Sequence, residues 1–339
     1  PYGDHLWLDI SVLGREHVHK NLREVTDICR YFLGIDPAND WIPVRPTQHY
    51  SMGGIRTDHR GESTTLKGLF ACGEAACWDM HGFNRLGGNS VAETVVAGMI
   101  VSEFIADYCL DAGSDINIST GLVRDFVERE QAALNRFTGN SGSEKAEPIR
   151  ERMEEIMIDQ VGIFRSGEEL ERAVDELQEL LARSRNLRVS SESPGANPEL
   201  VAAYRFPKML KLAICAALGA RERTESRGAH FREDFPQRND QQWLNRSITT
   251  WPEAEQNLPK LSYEDISVDD MELPPGFRGY GTRNHIDHPD SEKRHAEISN
   301  ILETVDDNDR YARQAALMPF VHLLPEKYRP RNQRLEATA

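Results

Sequence analysis

One histidine stands between prolines and glycines in the first part of the chain. His49 follows Pro43 and Pro46 and precedes Gly53 and Gly54. The prolines stiffen the backbone on one side, and the glycines let the backbone come close to a ligand on the other side. A histidine presented in this way can donate a hydrogen bond to a carboxylate. A lone histidine beside a strand is, however, more often a structural residue.

A second string places an arginine and two glycines directly before an apolar run. Arg85 precedes the glycines, and residues 91–106 follow them. A guanidinium can offer a carboxylate two parallel hydrogen bonds, and bare N–H groups at a helix N-terminus favour electron-rich ligand atoms. Glu74, after the preceding predicted strand, is placed to accept from ribose or ribityl hydroxyls. The alternative is an ordinary helix cap at Asn89 or Ser90, with the arginine in a salt bridge.

The elements around these strings must hold them in place. Short apolar runs and glycine turns alternate between residues 42 and 108, with a helix starting near Ser90. This order is typical of an α/β domain whose loops face a ligand. Upstream, the pattern predicts a strand at 6–10 and a helix at about 16–33 that ends at Gly34.

Downstream of this region the periodicity is helical. The segment 120–220 predicts a bundle, and Ser166 with Glu169 has the spacing of a capping box. Apolar residues follow at helical spacing and predict one buried helix face: Leu170, Ala173, Val174, Leu177, Leu180 and Leu181. A surface loop is expected at 190–198. After about residue 251 the chain becomes proline-rich and irregular, and a final helix is predicted near 292–317.

Composition excludes several classes of function. The formal net charge of -15 opposes binding to nucleic acid or to an anionic membrane surface. Residues 91–106 contain Glu93, Thr94, Ser102 and Glu103, so we expect this run to be too short and too polar to cross a bilayer. The five cysteines are scattered without a CxxC pair, which disfavours disulfides and a structural zinc site.

Four strings carry recognisable motifs: His49-Tyr50-Ser51-Met52-Gly53-Gly54, Gly73-Glu74, His81-Gly82-Phe83-Asn84-Arg85-Leu86-Gly87-Gly88-Asn89-Ser90 and Arg223-Thr224-Glu225-Ser226-Arg227-Gly228-Ala229-His230-Phe231-Arg232-Glu233-Asp234. The first three, in this order, resemble the signatures of the fumarate reductase and succinate dehydrogenase flavoproteins. The fourth, in the helical part, is similar to that family's RxESRGAHxRxD run. For this fourth string we expect a solvated, salt-bridged face or a subunit contact, and no catalytic role.

The resemblance implies roles for five residues. His49 and Arg85 would each bind a substrate carboxylate, and Glu74, Ser90 and Val91 would contact FAD. The family's GxGxxG fingerprint, the histidine that often carries the flavin covalently and the proton-delivering arginine are absent from this sequence and would lie upstream of it. We therefore assign no catalytic residue here and expect the 339-residue chain alone neither to retain FAD nor to turn over.

The implied fold is a remnant of an α/β flavin domain with the end of a capping domain before it, and with a helical bundle domain and a small irregular C-terminal lobe after it. We expect the capping (substrate-lid) domain at 1–42, the FAD-binding domain at 43–110, the helical domain at 111–254 and the lobe at 255–339.

The implied function is that of a quinol:fumarate reductase flavoprotein subunit, closest to the menaquinol-linked enzymes. It would reduce fumarate to succinate by hydride transfer from flavin N5. An iron–sulfur subunit would supply the electrons, and a membrane cytochrome b or anchor subunit with menaquinone would hold the complex at the cytoplasmic face of a bacterial inner membrane. Alternatives are a succinate dehydrogenase, an L-aspartate oxidase or a non-catalytic docking fragment.

Overall fold

A computed structural model describes residues 5–45, 49–112, 119–139, 142–191, 195–251 and 256–268, with isolated positions between 292 and 303. The chain divides into two compact units. The first comprises Pro1–His81 and Arg85–Tyr108, and the second comprises Gly82–Asn84 and Cys109–Ala339. The predicted helix at 292–317 and most of the predicted lobe at 255–339 lie outside the described residues.

The first unit begins with a two-stranded antiparallel pair and a broken helix. Strand β1 (Leu6–Leu8) pairs with β2 (Ile42–Val44). The single helix predicted at 16–33 is wrong in its continuity, because Leu22 leaves the helical region at φ −118°, ψ 43°. The chain instead forms α1, α2 and one π-helical turn, which ends at Gly34 in the left-handed region, as predicted. The bounds are α1 Arg15–Asn21, α2 Arg23–Ile28 and the π turn Cys29–Leu33.

A short parallel pair and a long helix complete this unit. Strand β3 (Ile55–Arg56) pairs with β4 (Ala76–Cys77), and α3 spans Asn89–Ala112. One stripe of α3, formed by Glu93, Ala97 and Val101 at four-residue spacing, is buried. Large apolar side chains on other faces of this helix are exposed: Val91, Val95, Val96 and Met99.

The length of α3 bears on the expectation about membranes. By length and composition, the stretch Asn89–Asp111 is sufficient to cross a membrane, so our expectation for residues 91–106 does not extend to the whole helix. The core helix of a folded domain meets the same criterion. In the structure Glu93 is tied to Trp78, outside the helix, which fixes this part of α3 to its own unit.

The second unit is a helical bundle, as the periodicity predicts. The apolar residues predicted for the buried face of α6 (Gly167–Arg183) are all buried. The side chain of Ser166 accepts a hydrogen bond from the Glu169 N–H at 3.3 Å, which confirms the predicted cap. These side chains pack against α5 and α7 in one core. The helix bounds are α4 Thr120–Gly139, α5 Ala146–Asp159, α6 Gly167–Arg183, α7 Pro198–Glu222 and α8 Asp240–Trp243.

A hairpin follows the bundle; its first strand lies inside the predicted helical domain at 111–254, and its second lies where we expected irregular chain. Strand β5 (Asn245–Thr250) pairs antiparallel with β6 (Lys260–Asp265), with Ser247 opposite Tyr263. The second strand is largely exposed. It alternates polar and apolar residues only over 260–263 and ends in two charged residues, so the signal for a strand is short.

The string from Arg223 to Asp234 is salt-bridged, as expected, but it is not a solvated face. Arg223, Glu225 and Arg232 are at most 2% exposed. Arg232 donates to the carbonyls of Ala220 and Arg221 at the end of α7 and forms a fork with Asp234, so this string closes the helix C-terminus.

Candidate active site

Two of the glycine-containing strings meet in the first unit. The backbone N–H of Ser51 donates to Oε1 of Glu74 at 2.7 Å. A Cβ on Gly54 would lie 2.4 Å from the Ala75 carbonyl oxygen, and its φ of +140° also disfavours a side chain. The backbone at Gly54 therefore approaches the chain beside Glu74 closely, which joins the histidine string to the Glu74 string, and the predicted approach to a ligand stays a prediction.

The third string joins them through Arg85. Its guanidinium lies 4.6 Å from the centre of the Tyr50 ring, and its backbone N–H donates to Sδ of Met52 at 3.0 Å. Its Nη1 donates to the Leu86 carbonyl, while Nε is buried and has no hydrogen-bond partner among the residues described. Within that part of the chain no carboxylate pairs with this cation, so the alternative of a salt-bridged Arg85 is not supported.

A buried carboxylate lies behind this stacked pair. Oε1 of Glu93 accepts from the indole N–H of Trp78 at 3.0 Å, and Oε2 lies 3.6 Å from Nε2 of His81. The His81 ring meets the Tyr50 ring edge to face, with centres 5.4 Å apart. The Glu93 side chain is 1% exposed. Sequence reasoning assigned this residue no role in the site, although a carboxylate near the start of an apolar run was the available signal.

The charged residues around Tyr50 affect the pKa of its phenol. Burial raises its pKa, and the negative charges of Glu93 and Glu74 raise it further, while Arg85 acts in the opposite direction. Tyr50 is therefore a neutral ring at physiological pH. Its face attracts the guanidinium, and the ring packs nearly perpendicular to that of His81.

His49 is exposed and directly precedes Tyr50. Residues 46–48, which lead into it, lie outside the described residues. The structure thus brings the neighbour of His49 against Arg85, but no contact between the two predicted carboxylate ligands is described. Their joint role stays a prediction.

The predicted flavin contacts surround an open helix entrance. Ser90 and Val91 lie in the first turn of α3, and Val91 is 72% exposed. A Cβ on Gly87 or Gly88 would meet no atom within 4 Å, so there is free space in front of this turn. Glu74 is exposed and is held by the Ser51 N–H.

These features favour an anionic or electron-rich ligand. An arginine without a carboxylate partner in the described chain, a helix N-terminus and bare glycine backbone all stabilise negative charge. Because the net charge of the whole chain is -15, this positive character is local.

Comparison with known families and proteins agrees with the motifs. Residues 1–91 match a family described as FAD binding domain, and residues 150–280 match one described as fumarate reductase flavoprotein C-term. A fumarate reductase flavoprotein subunit of Helicobacter pylori is 51% identical over 99% of this chain and 51% of its own length. One from Escherichia coli is 35% identical over 83% of this chain and 46% of its own length. The chain thus spans about half the length of these curated relatives.

Solved structures give the same result. Escherichia coli quinol fumarate reductase, in a variant of its FrdA subunit, superposes with a TM-score of 0.76 at 34% identity, over 84% of this chain and 48% of that one. Mycobacterium smegmatis Sdh1 superposes with a TM-score of 0.67 at 30% identity, over 78% of this chain and 43% of that one. With the motifs and both family matches, these similarities confirm the resemblance: the chain belongs to the fumarate reductase and succinate dehydrogenase flavoprotein family.

Proposed function

We propose that this chain is part of the flavoprotein subunit of a quinol:fumarate reductase and that it helps to reduce fumarate to succinate. The observation that carries the proposal is the position and the pairing of the Arg85 guanidinium. It is held on the Tyr50 ring at 4.6 Å and has no carboxylate partner among the described residues. A positioned cation without a counterion is what an anionic substrate requires.

In this proposal His49 and Arg85 hold the two ends of a four-carbon diacid. The guanidinium takes one carboxylate through two parallel hydrogen bonds, and the imidazole donates to the other. Such clamping fixes the alkene and places donors where negative charge develops in the transition state. Tyr50 and Met52 act earlier, because they fix Arg85 before the substrate arrives.

The residues present fit a flavin. Glu74 would accept from its ribose or ribityl hydroxyls, and the first turn of α3 at Ser90 and Val91 would face an electron-rich ring edge; the open space at Gly87 and Gly88 supports this. When bound, FAD would supply the hydride for fumarate from its N5 atom. Covalent attachment to a histidine, and the arginine that delivers the proton, are proposed for residues outside this chain.

Partner subunits complete the proposal. An iron–sulfur subunit would bring electrons, and a membrane cytochrome b or anchor subunit with menaquinone would hold the assembly at the cytoplasmic face of a bacterial inner membrane. Similarity to a quinol fumarate reductase and to Mycobacterium smegmatis Sdh1 supports such an assembly, whichever direction the reaction takes. Succinate oxidation is the second candidate function, because that structural similarity includes Sdh1.

The experiment joins the chain to the upstream half of the Helicobacter pylori relative, which is 51% identical over the shared part. Flavin is read from the visible spectrum, and fumarate reduction is assayed with reduced benzyl viologen as the electron donor. Arg85→Ala should lose about 2 to 5 kcal/mol of transition-state binding, because a bidentate charge-assisted pair disappears. Arg85→Lys should recover only part of this, since an ammonium cannot form the fork.

Arg60→Ala is the matched control, because Arg60 is an exposed arginine of the same unit that stacks on Phe104. Its activity should equal that of the parent protein. Near-normal reduction by Arg85→Ala, in a protein that retains its flavin, would remove Arg85 from the proposed site. Full activity of the 339-residue chain without the upstream half would refute our expectation that it is inactive alone.

A further inference from the structure

Phe83 lies in the middle of the string that carries Arg85. The segment Gly82–Asn84 belongs to the second compact unit, while His81 and Arg85 on either side belong to the first. The contacts of Phe83 described below therefore lie inside the second unit. They involve the string 223–232, for which the proposed dicarboxylate site has no use.

A tight turn contacts the backbone of Phe83. Arg227 and His230 exchange two backbone hydrogen bonds, at 2.8 and 3.0 Å, around Gly228 and Ala229. The positive φ of Gly228, +58°, at the first central position is typical of a type II′ turn. The Ala229 N–H points out of this turn and donates to the Phe83 carbonyl at 2.7 Å.

Gly228 is required here for two reasons. Its left-handed backbone disfavours any side chain. A Cβ at this position would also lie 2.6 Å from the Phe83 carbonyl oxygen and 2.7 Å from the Phe83 carbonyl carbon. Backbone atoms cannot swing away as a flexible side chain can. The turn and Phe83 are thus in direct contact, and this contact tolerates only glycine.

The ring of Phe83 covers a buried cation. The guanidinium of Arg223 lies 4.8 Å from the centre of the Phe83 ring and 4.9 Å from that of Trp243. Its side chain is 2% exposed and donates to Glu225 and to Asn245. Burial lowers the Arg223 pKa, which Glu225 counteracts. Removal of the Phe83 ring would expose one face of this charge to water.

Two hydrogen bonds hold the ring of His230, the last residue of this turn. Arg165 can only donate, so Nδ1 of His230 accepts from it at 2.8 Å, and Nε2–H donates to the Arg223 carbonyl at 3.1 Å. The imidazole is therefore neutral, with its proton on Nε2. Its ring centre lies 6.4 Å from that of Phe83.

We propose that Arg223, Gly228, Ala229 and His230 form an anchor for Phe83 and that this anchor positions Arg85. Two residues of chain extend at most about 7 Å, so a fixed Phe83 limits where the Arg85 backbone can lie. The four are positioning residues, since none needs to touch the substrate. The part of the proposal that concerns Arg85 rests on the proposed function.

Hydrogen–deuterium exchange of the intact chain tests the anchor without any activity. Gly228→Ala should displace the Phe83 carbonyl from the Ala229 N–H, and Phe83→Ala should remove the ring contacts. Both should raise amide exchange in residues 82–88, together with that of Ala229, by about tenfold. Helices α6 and α7 should keep their protection. Gly219→Ala is the matched control, since a Cβ there meets nothing within 4 Å, and Phe83→Tyr should restore the ring contact.

The same variants, joined to the upstream half of the Helicobacter pylori relative, test the positioning of Arg85. The KM for fumarate should rise about tenfold in Gly228→Ala and Phe83→Ala, with a smaller change in kcat, and stay normal in Gly219→Ala and Phe83→Tyr. Unchanged exchange in a folded Gly228→Ala protein overturns the anchor. Raised exchange with a normal KM overturns its effect on Arg85. If the parent protein reduces no fumarate, the proposed function fails, and the exchange data still decide whether the anchor exists.

Discussion

At the scale of single residues, the ring of Tyr50 is what prepares Arg85 for a substrate. The guanidinium stacks on this ring, and the phenol has no role in that stacking. Tyr50→Phe should therefore leave the KM for fumarate within about twofold of the parent value. Tyr50→Ala should raise it about tenfold, the scale of a partly desolvated cation–π contact. Steady-state kinetics of the chain joined to the upstream half of the Helicobacter pylori relative measure both KM values. Equal effects of the two variants would contradict the proposed role of the ring.

His230 makes a prediction about pH and stability. Burial, together with the charges of Arg165, Arg223 and Arg232, lowers its pKa from 6.5 to about 4, although the hydrogen bond to the Arg223 carbonyl acts in the opposite direction. The unfolded chain therefore takes up this proton at higher pH than the folded one. The free energy of unfolding should be constant above about pH 6.5 and should fall as the pH drops toward 4, by on the order of 3 kcal/mol from this group.

Urea unfolding at pH 7 and at pH 5 measures this effect. In His230→Asn the amide keeps an acceptor and a donor but does not titrate, so the difference between the two pH values should shrink. An unchanged difference would assign the acid sensitivity to other groups, of which Asp234, held at lowered pKa by Arg232, is the nearest candidate.

At the scale of elements, Ser166 fixes the start of α6. Its hydroxyl accepts from the Glu169 N–H, and the helix supplies six residues to the core. Ser166→Ala should lower the free energy of unfolding by about 1 kcal/mol, and Ser166→Thr should retain most of it. Chemical denaturation followed by circular dichroism gives both values. A stable alanine variant would mean that Gly167 and Asp234 hold this end of the helix instead.

The elements that the sequence predicted well are those with strong local signals. The cap at Ser166, the buried face of α6 and the stop at Gly34 follow from spacing and residue type alone. The break at Leu22 has no such signal in the sequence. The strand Lys260–Asp265 forms by pairing with Asn245–Thr250, which its own sequence does not specify. The candidate site divides in the same way. Its glycines, Arg85 and Glu74 were visible in the motifs, whereas Glu93 and the Phe83 contacts depend on tertiary packing.

At the scale of the whole molecule, the relatives that this chain matches are about twice as long as the part of them that it covers. The apolar side chains Val91, Val95, Val96 and Met99 of α3 are exposed in the structure. Exposed apolar faces of this kind mark surfaces that pack against further protein or ligand. We therefore expect flavin and substrate binding to require more polypeptide than these 339 residues.

The most direct test is a crystal structure of the chain, joined to the upstream half of the Helicobacter pylori relative, with succinate bound. We predict one carboxylate of succinate on the guanidinium of Arg85 and the other within hydrogen-bond distance of the His49 imidazole, beside the first turn of α3. Succinate bound elsewhere, with His49 and Arg85 facing different cavities, would contradict the proposed dicarboxylate site.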